Sequence, residues 1–369
     1  MGIGTYTGKD LVIPETYEGK PVTAVAPAAF FQCETFTSLS LPKTVTEIGS
    51  GAFYGCTGLV SLNVDKKNPK YVSENNCLID KTENALILGT NASSKPKKNT
   101  VLSIAPGAFY GCADLVSFSV PETVTEIGAS AFKNCRKLKE APLPAGLTAL
   151  GASAFSGCAS LTAVTIPEQI TVLSEGTFAG CSSLSSLTGE ERLTSLGDGV
   201  FRGCSSLSAF TLGSRAAFVG EGCFAETALR SMTVEAGNPF YAVREGCLVS
   251  LSGELLACFG DTVYTEGVTV IGQYAGFGMK GLTSLTLPEG ITDVGDFAFA
   301  GATDLAALSL PASLRKVGFG AFYLTGGLTS VSYAGTTVQW DALEGASDAM
   351  FADGTVIVCR DGTVTYHRQ

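Results

Sequence analysis

The 369 residues include one histidine, His367, and one tryptophan, Trp340. Nucleophilic chemistry of the Ser-His-Asp or Cys-His kind needs an imidazole beside the nucleophile. A single His at the extreme C-terminal end, in an expected edge strand, supplies none. Charged residues are only 16% of the chain and formal net charge is −10, so the basic face that phosphate binding requires is missing and nucleic acid is not expected as a partner. No apolar run approaches the roughly 18 residues of a transmembrane helix. Cys-x-x-Cys pairs are absent, which argues against a metal site. The IGxxAF glycines lack GxxxxGK[ST] and a following long helix. DGTV at Asp353 and Asp361 lacks the spaced oxygen ligands of an EF-hand loop. No catalytic residue, cofactor or metal ligand is therefore assigned. The opening MGIGTYTG has neither a charged n-region nor an apolar h-region, so the chain is expected to be cytosolic or to have lost a secretion signal.

What is present is apolar and periodic. Hydrophobic residues make up 45% of the chain and mean hydropathy is +0.28, enough for a large core. Aligned on the Phe of an AF pair, the sequence repeats at Phe30, Phe53, Phe109, Phe132, Phe155, Phe178, Phe201, Phe224, Phe299 and Phe322, with Gly276 in the same slot. The spacing is 23 residues, interrupted by longer intervals after Phe53 and Phe224. Such a period marks a solenoid, whose units stack because none can bury its own face. About eleven repeats are read. Each has an LxxLxL strand, a turn with a short VTxIG segment, and an AFxxC segment expected to be one helical turn. A single array is expected over 1–369. Residues 1–21 form an N-terminal cap, 22–332 the repeats, and 333–369 a C-terminal cap with a hairpin turning at Asp361–Gly362. Trp340 is expected to cover the last rung. At about 4.8 Å per rung, the array would extend roughly 60–75 Å.

The string LTxIGxxAFxxCxxLxSVxIP resembles the BspA-like leucine-rich repeat of bacterial cell-surface proteins. The resemblance covers nearly the whole chain, including LVIPETYEGKPVTAV, both long intervals and YAGTTVQWDAL. It implies a right-handed leucine-rich-repeat solenoid of short parallel strands, secreted or at the cell surface, used for adhesion or protein binding. The partner would be a protein of a host or neighbouring cell. The alternative is a structural surface-layer element that associates with itself.

Cys33, Cys56, Cys112, Cys135, Cys158, Cys181 and Cys204 share one repeat slot, which later holds Thr227, Ala302 and Thr325. Small residues replace Cys there, so a buried free thiol is the favoured reading. An occasional disulfide between rungs is within reach, although equivalent side chains point the same way. The outward strand positions form Ser and Thr columns, such as Thr165, Thr188 and Thr211. Ser and Thr are under-represented in binding hot spots, so this face is read as scaffold.

The long intervals, near 65–100 and 235–266, repeat each other. NPKYVSENNCLIDKTENALILG aligns with NPFYAVREGCLVSLSGELLACFG, matching Tyr71 with Tyr241, Cys77 with Cys247 and Leu86 with Leu256. Each reads as a β-hairpin inserted in the solenoid. The first lies in a lysine-rich stretch, Lys66 to Lys98, whereas from Glu254 onward acids outnumber bases twelve to five. Aromatic and cationic side chains make Lys66, Lys67, Lys70 and Tyr71, with Phe240, Tyr241 and Arg244, the candidate protein-binding residues.

Overall fold

A computed structural model describes residues 8–97, 100–349 and 351–367. Residues 1–7 of the expected N-terminal cap and Lys98 of the lysine-rich stretch lie outside the described residues. The chain divides into two compact units. The first holds the residues up to Gly189 with Cys204–Leu207; the second holds Glu190–Gly203 and everything from Ser208.

Both units are parallel-strand solenoids with almost no helix. Within each unit the LxxLxL segments pair as parallel strands. In the first unit, Asp10–Val12, Ser38–Leu41 and Ser61–Val64 run parallel. In the second, Ser284–Thr286, Ala307–Leu310, Ser330–Tyr333 and Val356–Cys359 do so. The register is one repeat, Leu39 opposite Leu62 and Leu285 opposite Leu308, so each column of the core aligns equivalent apolar positions of successive repeats. At 117–120 and 140–142 the sheet thins to a single bridge, Ser117 with Glu140; Pro142, which has no N–H to give, lies there. The two-residue VTxIG segments pair in parallel with one another in the same way, as in Ser103–Ile104, Glu126–Ile127 and Ala149–Leu150. The glycine of that motif lets rungs touch. A Cβ on Gly151 would lie 2.4 Å from the Ala129 nitrogen.

The AFxxC segment is not the helical turn that its spacing suggested. Residues two before and two after the Phe are left-handed: Ser130 (φ 56°) and Asn134 (φ 63°) around Phe132, Ser153 and Gly157 around Phe155. This alternation aims every second N–H at the next rung. Ser130, Phe132 and Asn134 donate to the carbonyls of Ala152, Ala154 and Ser156 at 2.9, 2.7 and 2.7 Å. The N–H groups between them close short turns within the rung, Cys135 to Phe132 among them. A third inter-rung ladder results, and no backbone polar group need be buried unpaired.

Inside, the AF rings stack face to face. Centroids of Phe109, Phe132, Phe155 and Phe178 follow one another at 4.8, 5.1 and 5.8 Å. In the second unit Phe322 stacks on Phe299 at 5.9 Å and on Phe351 at 5.2 Å. Phe351 thus ends the column from outside the repeat, and Trp340 is buried against it and Tyr333. The helix Thr337–Asp341 that carries Trp340 starts with a capping box between Thr336 and Gln339. The terminal hairpin pairs Cys359 with Gly362, so its turn is Arg360–Asp361, one residue earlier than expected. Asp361 is held there by the Thr337 N–H at 2.8 Å.

Six slot thiols are buried, and Cys33, with no AF rung before it, is half-buried. They also do something that a small filler does not. Cys56, Cys135, Cys158, Cys181 and Cys204 each donate to the carbonyl of the Phe one rung back, at 3.1–3.2 Å. Thr227 and Thr325 instead bond the Phe carbonyl of their own rung. One disulfide is present, Cys247–Cys258. It crosses the second insertion, away from the slot.

Candidate functional site

Each long interval builds the expected antiparallel pair plus one more strand. Tyr71–Glu74, Cys77–Asp80 and Ala85–Leu88 form a meander whose last strand joins the VTxIG sheet in parallel. Tyr241–Arg244, Cys247–Ser250 and Glu254–Cys258 repeat it. Left-handed pairs Asn75–Asn76 and Glu245–Gly246 make the tight first turns. The second turn differs in length. Leu86 lies opposite Ile79 and Leu255 opposite Val249, so Leu86 corresponds to Leu255 and not to Leu256. The three-residue turn 251–253 has one residue fewer than 81–84.

An asparagine anchors each meander. Asn68 donates to the carbonyls of Pro42 and Val45 at 2.8 and 2.9 Å, and its Oδ1 accepts from the N–H groups of Lys70 and Tyr71 at 2.9 and 2.7 Å. Asn238 does the same with Gly213 and Ala216, and with Phe240 and Tyr241. The tyrosine hydroxyls then reach the preceding VTxIG strand: Tyr71 donates to the Thr46 carbonyl and Tyr241 to that of Ala217. Four hydrogen bonds on one amide and one on the ring fix the entry of each insertion. Asn-Pro was visible in the sequence as a turn; its role as clamp needed the carbonyls that only the preceding rung supplies.

This geometry sorts the candidate residues. Tyr71 and Tyr241 are buried, 3% and 8% exposed. They line clefts beside the insertions and serve the clamp first. Lys70 sits 3.4 Å from the buried Asp80 carboxylate, with its ammonium 5.6 Å from the Tyr71 ring. Lys81 donates to the Asn68 carbonyl at 2.7 Å. Burial alone would raise the Asp80 carboxyl, but bonds from Thr82 and Glu83 and the nearby Lys70 outweigh it and hold the group below its ordinary value. Lys66 and Lys67 are exposed on the adjoining turn, outside the cleft-lining residues; Phe240 is exposed at the second cleft and Arg244 at the end of its strand. The two sets of candidates belong to different units.

Two surfaces escaped the sequence reading. Phe218 (52% exposed) and Leu251 (57%) join Phe240 (47%) in lining a cleft of about 430 Å³ at the second insertion. Phe218 is the one aromatic in a column that also holds Glu47, Glu126, Val172, Val270, Asp293 and Lys316, and a column so mixed gave no clear signal. On the turn face of the second unit, Tyr274 stacks on Phe297 at 5.5 Å, Phe297 meets Phe319 edge-on, and Arg202 lies 4.0 Å over the Tyr274 ring. Tyr274 and Phe297 are left-handed, where other rungs use Gly, Ser or Ala.

The strand face is as plain as its sequence. Ser38 is opposite Ser61, Thr211 opposite Thr233, and Thr188 donates to Thr165 at 3.1 Å. No helix among the described residues is long and apolar enough to cross a membrane.

Among solved structures, the chain is similar to a leucine-rich cell-surface protein of Faecalibacterium prausnitzii, 23% identical over 92% of this chain and 91% of that one, TM-score 0.47. A leucine-rich repeat protein of Bacteroides ovatus is 24% identical over 95% and 91%, TM-score 0.44. One of T. pallidum is 29% identical over 55% and 79%, TM-score 0.35. Comparison with curated protein sequences gives no match. The sequence profile described as "BspA type leucine rich repeat region" matches in six copies, over residues 10–82, 102–235 and 258–347. With most of its length matched and its rungs built as that repeat requires, the chain belongs to the BspA-type leucine-rich repeat family.

Proposed function

We propose that the chain is a non-catalytic scaffold of the bacterial surface or secreted space that binds a protein of a host or neighbouring cell through its irregular insertions. One observation carries this reading. The same clamped meander is built twice, and each copy presents large exposed side chains beside a strand face of short hydroxyls: Lys66 and Lys67 on one, Phe240 and Arg244 on the other. A rigid element with variable exposed residues is how binding sites are commonly carried. The Cys247–Cys258 disulfide supports an oxidising compartment. The free thiols coexist with it because burial keeps them protonated, Cys56, Cys112, Cys158 and Cys204 being pushed up to about 12.

The test is saturable binding of the purified chain to intact epithelial or bacterial cells. Lys66→Glu with Lys67→Glu, and separately Phe240→Ser with Arg244→Glu, should each leave the fold intact and at least one should reduce binding tenfold. Bulky replacements at Thr165, Thr188 and Thr211 should not. The opposite pattern would move the site to the sheet face. Charge asymmetry favours the second reading, a self-associating surface-layer element: a lysine-rich first insertion could meet the acidic second unit of another copy. Sedimentation would then show oligomers that dissolve as salt rises.

A further inference from the structure

The two insertions control for one another. They share the asparagine clamp, the tyrosine, the three strands and the parallel join to the next rung, so positions correspond except for the one residue missing from the turn 251–253. Phe218 stands where the first unit has Glu47, each being the first residue of a VTxIG strand beside the clamp. Phe240 stands where it has Lys70, and Leu251 where it has Lys81; Leu251 donates to the Phe240 carbonyl as Lys81 does to that of Lys70, at 2.7 and 2.9 Å. Glu254 replaces Ala85 at the start of the last strand. The first unit builds this element with two lysines and a glutamate at these places. The fold therefore does not require the three exposed apolar side chains of the second, which together give up hydration on a surface where charge is tolerated.

The cleft they line has one charged wall. Glu254 lines it, half-buried, and lines as well the neighbouring cleft of about 400 Å³ that contains Glu221, Asp293 and Asp296. Of the charged groups there, Lys316 is bonded to Glu344 at 3.2 Å. Burial, and then the charge of Glu221, push the Glu254 carboxyl above its ordinary value, as expected for an anion set against an apolar surface without a cation of its own. A ligand that fits must bring an apolar group for Phe218, Phe240 and Leu251 and a positive charge for Glu254.

Resting on the proposed scaffold function, we infer that the cleft of the second insertion docks a partner protein through an extended segment in which a large apolar side chain adjoins a lysine or arginine. The apolar group fills the space between Phe218, Phe240 and Leu251. The cation lies against Glu254, with Glu221 behind it, and such charge-assisted contacts give orientation as well as attraction. The first insertion, with Glu47, Lys70 and Lys81 in the corresponding places, does not take this ligand. The two insertions thus differ in specificity while sharing a backbone.

The probe is a fluorescein-labelled peptide, Gly-Ser-Phe-Lys-Phe-Ser-Gly, titrated with the intact chain and read by anisotropy. Two control peptides replace Lys by Glu, or both Phe by Ser. Saturable binding of the first, at least tenfold weaker for each control, is expected. Phe240→Ser with Leu251→Ser should weaken it at least tenfold, Glu254→Gln about fivefold, and Lys66→Glu with Lys67→Glu not at all. All five positions are exposed or half-exposed, and circular dichroism verifies that the variants stay folded. Equal binding of the Lys and Glu peptides, no saturable binding, or indifference to the Phe240/Leu251 variant would overturn the inference. So would sedimentation showing that the cleft is closed by a second copy of the chain, with oligomers lost in that variant. If the peptide fails while the insertion variants still reduce cell binding, the scaffold reading stands and only this ligand assignment falls.

Discussion

At the scale of the residue, the repeat slots owe their identity to what lies one rung away. Phe155 is 1% exposed and stacked between Phe132 and Phe178. Truncation to Ala removes both stacking contacts and leaves a cavity that neighbouring rungs cannot collapse into. A loss of about 3–5 kcal/mol in chemical denaturation is expected, and a change under about 1 kcal/mol would show that the column is not the core. The slot thiols follow the same logic. Each buried sulfur faces a carbonyl and apolar side chains, so thiolate formation is suppressed. Labelling with a thiol reagent in the native state should modify Cys33 first, with the six buried slot thiols reacting only in denaturant. Rapid native labelling of those six would contradict the packing.

At the scale of the element, the clamp decides whether an insertion docks. Asn68 is 2% exposed, and Asn68→Ala would strand two carbonyls and two N–H groups. Unsatisfied buried groups cost roughly 1–3 kcal/mol each when water cannot reach them. A net loss of about 2–4 kcal/mol is expected after partial rehydration, and less for Asn238→Ala, since Asn238 is only half-buried. Equal losses would mean that burial is not what makes the clamp costly to break. Asp80 gives the first insertion a dependence on acid. Its folded pKa is depressed, so its contribution is present above the ordinary carboxylate pKa and is lost as pH falls through the folded value. Hydrogen exchange of 77–88 should therefore accelerate in acid more in the parent than in Asp80→Asn, which has no such charge to lose. An identical acid response in the two proteins would remove Asp80 from the account.

At the scale of the whole molecule, the 23-residue spacing of Phe155, Phe178, Phe201 and Phe224 continues through Gly189 in the sequence. From that continuity we propose a single repeat array, in which stability is a sum of rung and interface contributions. Calorimetry is expected to show one unfolding transition for the full chain. Two well-separated transitions would return the two compact units as independent domains. The charge difference between the lysine-rich first insertion and the acidic C-terminal region acts at this scale too, steering association of any charged partner in a salt-dependent way.

The repeat, its period, the strand columns, the buried cysteine slot and the existence of both insertions were legible in the sequence. Each depends on local pattern: an apolar residue recurring every 23 positions must face a common interior. What the sequence left undecided depends on carbonyls and rings supplied by another rung. The AFxxC segment looked helical because Phe and Cys are three apart. Only stacking shows that left-handed residues turn its N–H groups outward to the next rung. Tyr71 and Tyr241 were candidate contact residues because aromatic side chains can make large contacts. That the preceding strand buries most of each ring, leaving it to line a cleft, was not legible in the sequence. Phe218 and Leu251 lie 33 residues apart, and no local pattern joins them to Phe240. They become one surface because the Asn238 clamp folds the insertion back onto the strand before it. Sequence alone determined the ladder of rungs. Tertiary structure decided which side chains the insertions bury and which they present, because that choice is made by hydrogen bonds between segments more than twenty residues apart.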